Sequence, residues 1–298
     1  LEPCSTRGQT GSCVEAIIKA GFNRVVVGAL DPNPVHAGRG LDKLREAGIE
    51  VCKVEGRLAE ACLNLNLIFN YQIVRKQPFF ALKLAVTKDS KIAEHHGQSS
   101  VITGEEARAD VMRWRRLFPA IAIGAGTVIA DDPCLTSRLP SGEWCPRRII
   151  LDGKLSSVPK TGRLPKVYSD SFSKNTLVVT DKASSVDHIR RTRLIEAGVT
   201  IRELTLDSRY GFSYQKLREI LEDEGLTGVY FEGGAKVAHQ MLREKALDYL
   251  FWYQSPKTFP NADAVKVPPL ADFTLPGKLR STRFGEDSLT CGPLNFSH

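Results

Sequence analysis

The sequence has no apolar run approaching the roughly 20 residues that a membrane-crossing helix needs, and nothing at its start reads as a secretory signal. A cytoplasmic protein without a membrane partner is expected. Cysteine is scarce: seven residues, an odd number thinly spread over 298, argue against a disulfide framework and for reduced thiols. Cys52, Cys62, Cys134, Cys145 and Cys291 share no ligand-like spacing and read as plain thiols. Blocks of one charge are also missing, because 41 basic and 34 acidic residues interleave to a formal net charge of +7. No basic stretch interleaved with aromatics offers a track for stacking bases, so nucleic acid is not an expected partner. A phosphate-bearing small molecule suits the charge balance better. Internal repeats and low-complexity segments are absent as well.

What is present is ordinary globular composition, 42% apolar and 25% charged, in a chain longer than one core usually supports. The apolar pattern predicts a helix over 14–20, a buried strand over 24–30, a helix over 41–47, a strand from 49 and a helix over 58–71. A charged, proline-bearing hinge, Val74-Arg75-Lys76-Gln77-Pro78, places a domain boundary between 1–74 and 75–298. Beyond it, strands are expected over 79–86, 120–124, 148–151, 176–180, 199–204, 228–232 and 249–254, and helices over 186–197, 214–224 and 235–245. Thr103 and Glu106 carry the spacing of a capping box, which would start a further helix running to about Leu117. Strands alternating with helices imply an α/β fold with parallel pairing in both domains. The residues after about Pro260 carry no recognisable site.

Four segments could carry chemistry. Cys4 and Cys13 form a thiolate pair of the kind zinc favours, but two ligands are not a site. Asp31-Pro32-Asn33-Pro34 with Gly38-Arg39-Gly40 is a polar, glycine-rich loop after a strand, which suits either a ligand or a plain turn. Gly124-Ala125-Gly126-Thr127 breaks a buried strand in a glycine turn whose N–H groups could approach phosphate. Glu232-Gly233-Gly234 joins a strand to a helix N-terminus, where a carboxylate could pair with an amine beside a pyrophosphate. Arg115 and Arg138 are candidates for a substrate phosphate, although Arg113, Arg115 and Arg116 could equally be a solvated helix face.

Taken in order, Glu2-Pro3-Cys4 with Cys13, Asp31-Pro32-Asn33-Pro34 with Ala37-Gly38-Arg39-Gly40, Ile102-Thr103-Gly104 with Ala107-Arg108, Gly126-Thr127-Val128 with Ala130-Asp131-Asp132-Pro133, and Glu232-Gly233-Gly234 make the chain resemble the bifunctional deaminase/reductase of riboflavin biosynthesis. The likeness runs from Leu1 to about Lys257. It implies a partial cytidine-deaminase-like domain, truncated at its N-terminus, followed by a dihydrofolate-reductase-like domain. The implied reaction is NADPH-dependent reduction of the ribosyl group of 5-amino-6-(5-phosphoribosylamino)uracil to ribityl.

By motif position, Ala85, Val101, Thr127, Asp131, Gly234, Ala235, Lys236, Val237, Ala238, His239 and Gln240 would contact the dinucleotide. Ser99, Arg115, Leu135, Arg138 and Glu232 would hold the phosphorylated pyrimidine substrate. Cys4 and Cys13 would be two zinc ligands. The His-x-Glu segment that the family's deaminase also needs is not among these residues, so zinc and deamination are expected only in the complete protein. A homo-oligomer is expected. The chain departs from the family pattern at Lys88, at Val101, at Pro119, at Thr6 and at Ser90, which fills a glycine position. From these residues, a nucleotide-binding homolog without turnover and a deaminase with a purely structural reductase half remain alternatives.

Overall fold

The computed structural model describes residues 1–298 apart from 8–10, 208–210, 274–278 and 295–298. The chain divides into two compact units, Leu1–Gln77 and Pro78–His298. Among the described residues no helix is long and apolar enough to cross a membrane.

The first unit contains α1 (Cys13–Lys19), β1 (Arg24–Val27), α2 (Arg39–Glu46), β2 (Glu50–Lys53), α3 (Gly56–Leu65) and α4 (Leu67–Arg75). β1 and β2 pair in parallel, and Val14, Leu44 and Ile49 form a small core. The single helix expected over 58–71 is broken at Asn66, whose backbone (φ −116°, ψ 34°) leaves the helical region. The side-chain amide of Asn70 donates to the carbonyl of Leu63 at that break, so asparagine chemistry interrupts an otherwise apolar helical pattern.

The second unit runs β3 (Phe79–Val86), β4 (Lys91–Ala93), α5 (Glu105–Leu117), β5 (Ala120–Gly124), α6 (Ala125–Asp131), β6 (Ser137–Leu139), β7 (Gly142–Trp144), β8 (Arg147–Leu151) and α7 (Lys166–Ser169). It continues with β9 (Thr176–Asp181), α8 (His188–Glu196), β10 (Thr200–Leu204), α9 (Tyr214–Asp223), β11 (Gly228–Phe231), α10 (Ala235–Arg243) and β12 (Tyr249–Gln254). It ends with β13 (Val265–Lys266), β14 (Arg280–Phe284) and β15 (Asp287–Pro293). Nine strands form one sheet in the order β10-β9-β8-β5-β11-β3-β12-β15-β14. Pairing is parallel from β10 through β12 and antiparallel from β12 through β14.

Both faces of the sheet are covered, which explains its uninterrupted apolar strands. Phe80, Leu82, Phe231 and Trp252 belong to one buried cluster with Leu217 and Leu221 of α9 and Met241 of α10. On the other face Phe118, at the end of α5, stacks near Tyr230 (5.0 Å) and Phe79 (6.1 Å), and Tyr230 meets Phe251 at 5.4 Å.

Three expectations are corrected here. The capping box does not form: Gly104 is the N-cap of α5, and its N–H donates instead to the Asp287 carboxylate at 2.6 Å. Gly124 to Thr127 is not an open turn, because α6 starts directly after β5. The residues after Pro260 are structurally informative, since β14 and β15 extend the sheet beyond β12.

Ser90 closes the tight turn from β3 to β4 with φ +60°, the left-handed conformation that favours glycine. The turn is held by the N–H of Ser90 on the Thr87 carbonyl (3.0 Å) and that of Thr87 on the Lys91 carbonyl (2.9 Å). Ser90→Gly should therefore stabilise the unit by about 1 kcal/mol, the cost of the left-handed conformation for an L-residue. Urea unfolding at neutral pH would show this as a higher midpoint.

Candidate active site

In α/β sheets, ligands collect outside the carboxyl ends of strands where the strand order reverses. β11 lies between β3 and β5, and a cavity of about 910 Å³ opens beyond their carboxyl ends. It is lined by Lys83, Leu84 and Ala85 of β3, Ile123 and Gly124 of β5, Leu151 of β8 and Glu232 behind β11. Of the residues singled out from the sequence, Ala85, Ser99, Arg115, Thr127, Asp131, Leu135, Glu232, Gly234, Ala235, Lys236, Val237 and Gln240 line it.

The polar centre is a cluster of three charges. Arg115 holds Glu232 through two hydrogen bonds, Nε to Oε1 at 2.6 Å and Nη2 to Oε2 at 2.9 Å. Its remaining edge donates from Nη1 to the Thr136 carbonyl at 3.0 Å. Lys83 Nζ approaches Glu232 Oε2 at 4.0 Å. Side-chain exposure is only 18% for Lys83, 11% for Glu232 and 12% for Arg115, so water screens the cluster little.

Burial opposes the charge on Glu232, but the Arg115 guanidinium outweighs it and holds the carboxyl well below the usual carboxylate range, with Lys83 helping. Burial lowers the Lys83 ammonium below its ordinary value; Glu232 and Asp131 oppose that shift and Arg115 adds to it. Asp131 is raised by burial, against a hydrogen bond from Ser99 and the charge of Lys83.

Glycines shape the wall beside this cluster. A Cβ on Gly233 would stand 2.6 Å from Val237 Cγ1, so only glycine lets β11 turn into α10 so closely. A Cβ on Gly126 would meet nothing within 4 Å, and one on Gly234 only the Thr127 hydroxyl at 3.9 Å. Open space thus faces both glycines. Gly234 begins α10 without a side-chain cap, leaving the first N–H groups of that helix available to an anion.

The structure does not bring every expected residue to the cavity. Val101 is exposed beside it, and Ala238 is wholly buried on the core face of α10. His239 turns its Nδ1 to the Ala235 carbonyl at 2.7 Å. Arg138 lies outside the lining, with Nη1 on Thr136 Oγ1 at 3.1 Å. The guanidinium of Arg115 lines the cavity and is bonded to Glu232 and Thr136. Lys83 was assigned no role from the sequence; the available signal was a lysine inside the apolar run of β3.

In the first unit, the Cys13 N–H donates to Cys4 Sγ at 3.2 Å, and this bond and the Cys13 thiol lower the Cys4 thiol. Among the described residues no group of three or more His, Cys, Asp or Glu could hold a metal ion. The two cysteines fit half of a tetrahedral zinc set and no more. The loop after β1 is explained without a ligand. The Glu2 carboxylate accepts N–H bonds from Asp31 (3.2 Å), Gly38 (2.9 Å) and Gly40 (2.8 Å). A Cβ on Gly40 would lie 2.2 Å from the Pro3 carbonyl, so Gly38-Arg39-Gly40 is a clasp for the segment carrying Cys4.

Comparison with known proteins agrees with this geometry. The family described as "RibD C-terminal domain" matches residues 78–289. The riboflavin biosynthesis protein RibD of Bacillus amyloliquefaciens is 38% identical over 256 residues, covering 86% of this chain and 66% of that protein. RibD of Actinobacillus pleuropneumoniae is 34% identical over 296 residues, 97% of this chain and 76% of that protein. The chain therefore spans about two thirds to three quarters of these relatives. A crystal structure of a diaminohydroxyphosphoribosylaminopyrimidine deaminase/5-amino-6-(5-phosphoribosylamino)uracil reductase from Thermotoga maritima superimposes with a TM-score of 0.71 at 31% identity, over 99% of this chain and 78% of that one. With the matched residues 78–289 spanning the whole of the cavity just described, the chain belongs to the RibD family of riboflavin biosynthesis.

Proposed function

We propose that the Pro78–His298 unit reduces the ribosyl group of 5-amino-6-(5-phosphoribosylamino)uracil to ribityl, with NADPH as the reductant. One observation carries this reading: Lys83, Thr127, Asp131, Glu232 and Gly234 line a single cavity in the domain that defines the family. NADPH, when bound, supplies a hydride. Gly126, Thr127, Gly234 and Ala235 would hold its pyrophosphate, because glycine backbone and an uncapped helix start are suited to an anion.

The chemistry asked of the protein is then proton management and positioning. Opening the sugar breaks the bond from C1′ to the ring oxygen, which gains a proton, while C1′ becomes doubly bonded to the ring-attached nitrogen as that nitrogen loses one. When hydride arrives at C1′, the nitrogen must take a proton back. Lys83 is the acid placed for these transfers, since its burial makes the ammonium a readier donor than an exposed lysine. Glu232, kept ionised by Arg115, accepts from sugar hydroxyls and holds the chain in register. Arg138, whose Nη1 bonds the Thr136 hydroxyl, would take the 5′-phosphate.

Oxidation of NADPH, followed by its absorbance, should require the deaminated ribosylaminopyrimidine phosphate. A folded protein that oxidises no NADPH with that compound would overturn the assignment. For Leu1–Gln77 we read a portion of a zinc-dependent deaminase domain, with Cys4 and Cys13 as two ligands. The described residues offer no third, and no zinc-dependent step is derived for them.

A further inference from the structure

We propose that Asp110, which lies outside the cavity lining, is a positioning residue for the reduction: it latches α5 to β12 through the Tyr253 hydroxyl and so fixes the helix rotation from which Arg115 reaches Glu232. This rests on the reading of Lys83, Arg115 and Glu232 as the cluster that meets the substrate. Latch and cluster share one face of the sheet. Paired residues of parallel strands project to the same side, so Phe251, opposite Lys83, and Tyr253, opposite Ala85, point the way Lys83 does. Tyr230, opposite Ala81, stands on that face too, and Glu232 follows it by two residues.

α5 covers this face. Its Trp114 ring lies 4.5 Å from Phe251, and Phe118 at its end lies 5.0 Å from Tyr230. Apolar contacts of this kind hold the helix against the sheet without choosing its rotation, because hydrophobic burial has no direction. Two directional bonds act on the backbone: the Gly104 N–H on Asp287 at the helix start, and Ser137 Oγ on the Met112 carbonyl at 2.7 Å. Asp110 adds a side chain. Its carboxylate accepts the Tyr253 hydroxyl at 2.6 Å, the length of a charge-assisted bond, and the Trp114 indole N–H at 3.2 Å. Tyr253 is wholly buried, so its hydroxyl cannot turn to bulk water if the carboxylate is lost.

Arg115 follows Trp114 directly, and its two bonds to Glu232 need both carboxylate oxygens in front of the planar guanidinium. A constellation of this kind works only when held to within about 0.5 Å and about 10 to 20°. A helix free to roll further would leave Arg115 with one bond or none. Burial, Glu232 and Asp110 push the Tyr230 hydroxyl well above its ordinary value, against Arg115, so latch and cluster act on one buried ring. Glu232 is faced by Arg115 from α5, by Lys83 from β3 and by Tyr230 of its own strand. With Arg115 displaced, Lys83 is left to oppose the burial that favours a protonated carboxyl.

Rates of NADPH oxidation with the deaminated substrate, measured from about pH 5.5 to about pH 8 alongside urea unfolding, separate positioning from a purely structural role. Tyr253→Phe and Asp110→Asn each remove the charge-assisted bond with little change in side-chain volume. Each should lower kcat about tenfold at neutral pH and leave the KM for NADPH within about twofold of the parent. The parent keeps Glu232 ionised over this range, whereas in the variants its carboxyl takes a proton as pH falls, so the deficit should grow about threefold or more toward the acid end. The double variant should match the single ones, because one latch is broken in each case. An unchanged kcat in both variants, a deficit that follows the loss of folded protein without growing in acid, or a double variant worse by the product of the single effects overturns the role of Asp110 while leaving the reductase reading intact. No oxidation by the folded parent overturns both.

Discussion

Lys83→Met should lower kcat for the reduction about a thousandfold, within the range that a positioned acid or base contributes. Methionine matches the length of the buried stem without an ionisable group, so the β3 strand and its apolar neighbours remain packed. The pH profile distinguishes loss of a proton donor from loss of shape. The donor is the ammonium, and burial lowers the pH at which it is lost. Activity of the parent enzyme should therefore be full on the acid side of that lowered value and fall as pH rises through it, below the range of an exposed lysine. Lys83→Met should retain its residual rate without that alkaline limb. Unchanged kcat in the variant would remove Lys83 from the chemistry.

Arg115→Met should cost both activity and stability. It strips the Glu232 carboxylate of its two guanidinium bonds in a site where neither partner is more than 12% exposed. Breaking a buried pair by removing one member typically costs about 3 to 5 kcal/mol, because the remaining charge stays buried without compensation. The pH dependence has a definite sign. Glu232 is depressed in the folded chain, so the stability it contributes is present above the ordinary carboxylate pKa and is lost as pH falls toward the folded value. In Arg115→Met the uncompensated carboxylate is relieved by taking a proton. Urea unfolding should show the largest gap between parent and variant near neutral pH and a narrower one in acid. A gap that stays constant or widens on acidification would show that Arg115 does not act through Glu232.

Much of the reductase sheet was legible because its strands are buried on both faces. β3, β5, β11 and β12 are continuous apolar runs, and the order of strands and helices alone implied parallel pairing. The two outer strands were not legible. β14 is almost wholly exposed and rich in charge, so it lacks the apolar alternation that marks a strand until β15 supplies its partner. Local capping chemistry was also misleading: the Thr103/Glu106 spacing is present, but Asp287, 183 residues away, satisfies the Gly104 N–H.

At the site, Glu232, Thr127 and Gly234 stood out because glycine, hydroxyl and carboxylate after a strand carry a recognisable chemistry, whereas Asp131 came only with the family resemblance. Lys83 did not stand out, since a single lysine in a strand carries no motif and its meaning comes from Glu232 and Arg115, which are far away in sequence. The pairing of Arg115 with Glu232 depends in the same way on a partner 117 residues away. A motif-sized window over 235–240 likewise includes Ala238 and His239, whose helical phase takes Ala238 to the core and His239 to the Ala235 carbonyl.

The most direct test of the central claim, that this cavity brings a reduced nicotinamide nucleotide against the sugar of a phosphorylated pyrimidine, is isotope transfer. NADPH carrying deuterium at C4 of its nicotinamide ring, given with 5-amino-6-(5-phosphoribosylamino)uracil, should yield a ribityl product with one deuterium at C1′ by mass spectrometry and NMR, and Glu232→Gln should suppress its formation. A ribityl product without deuterium from either face of C4, or no product from folded protein, would contradict it.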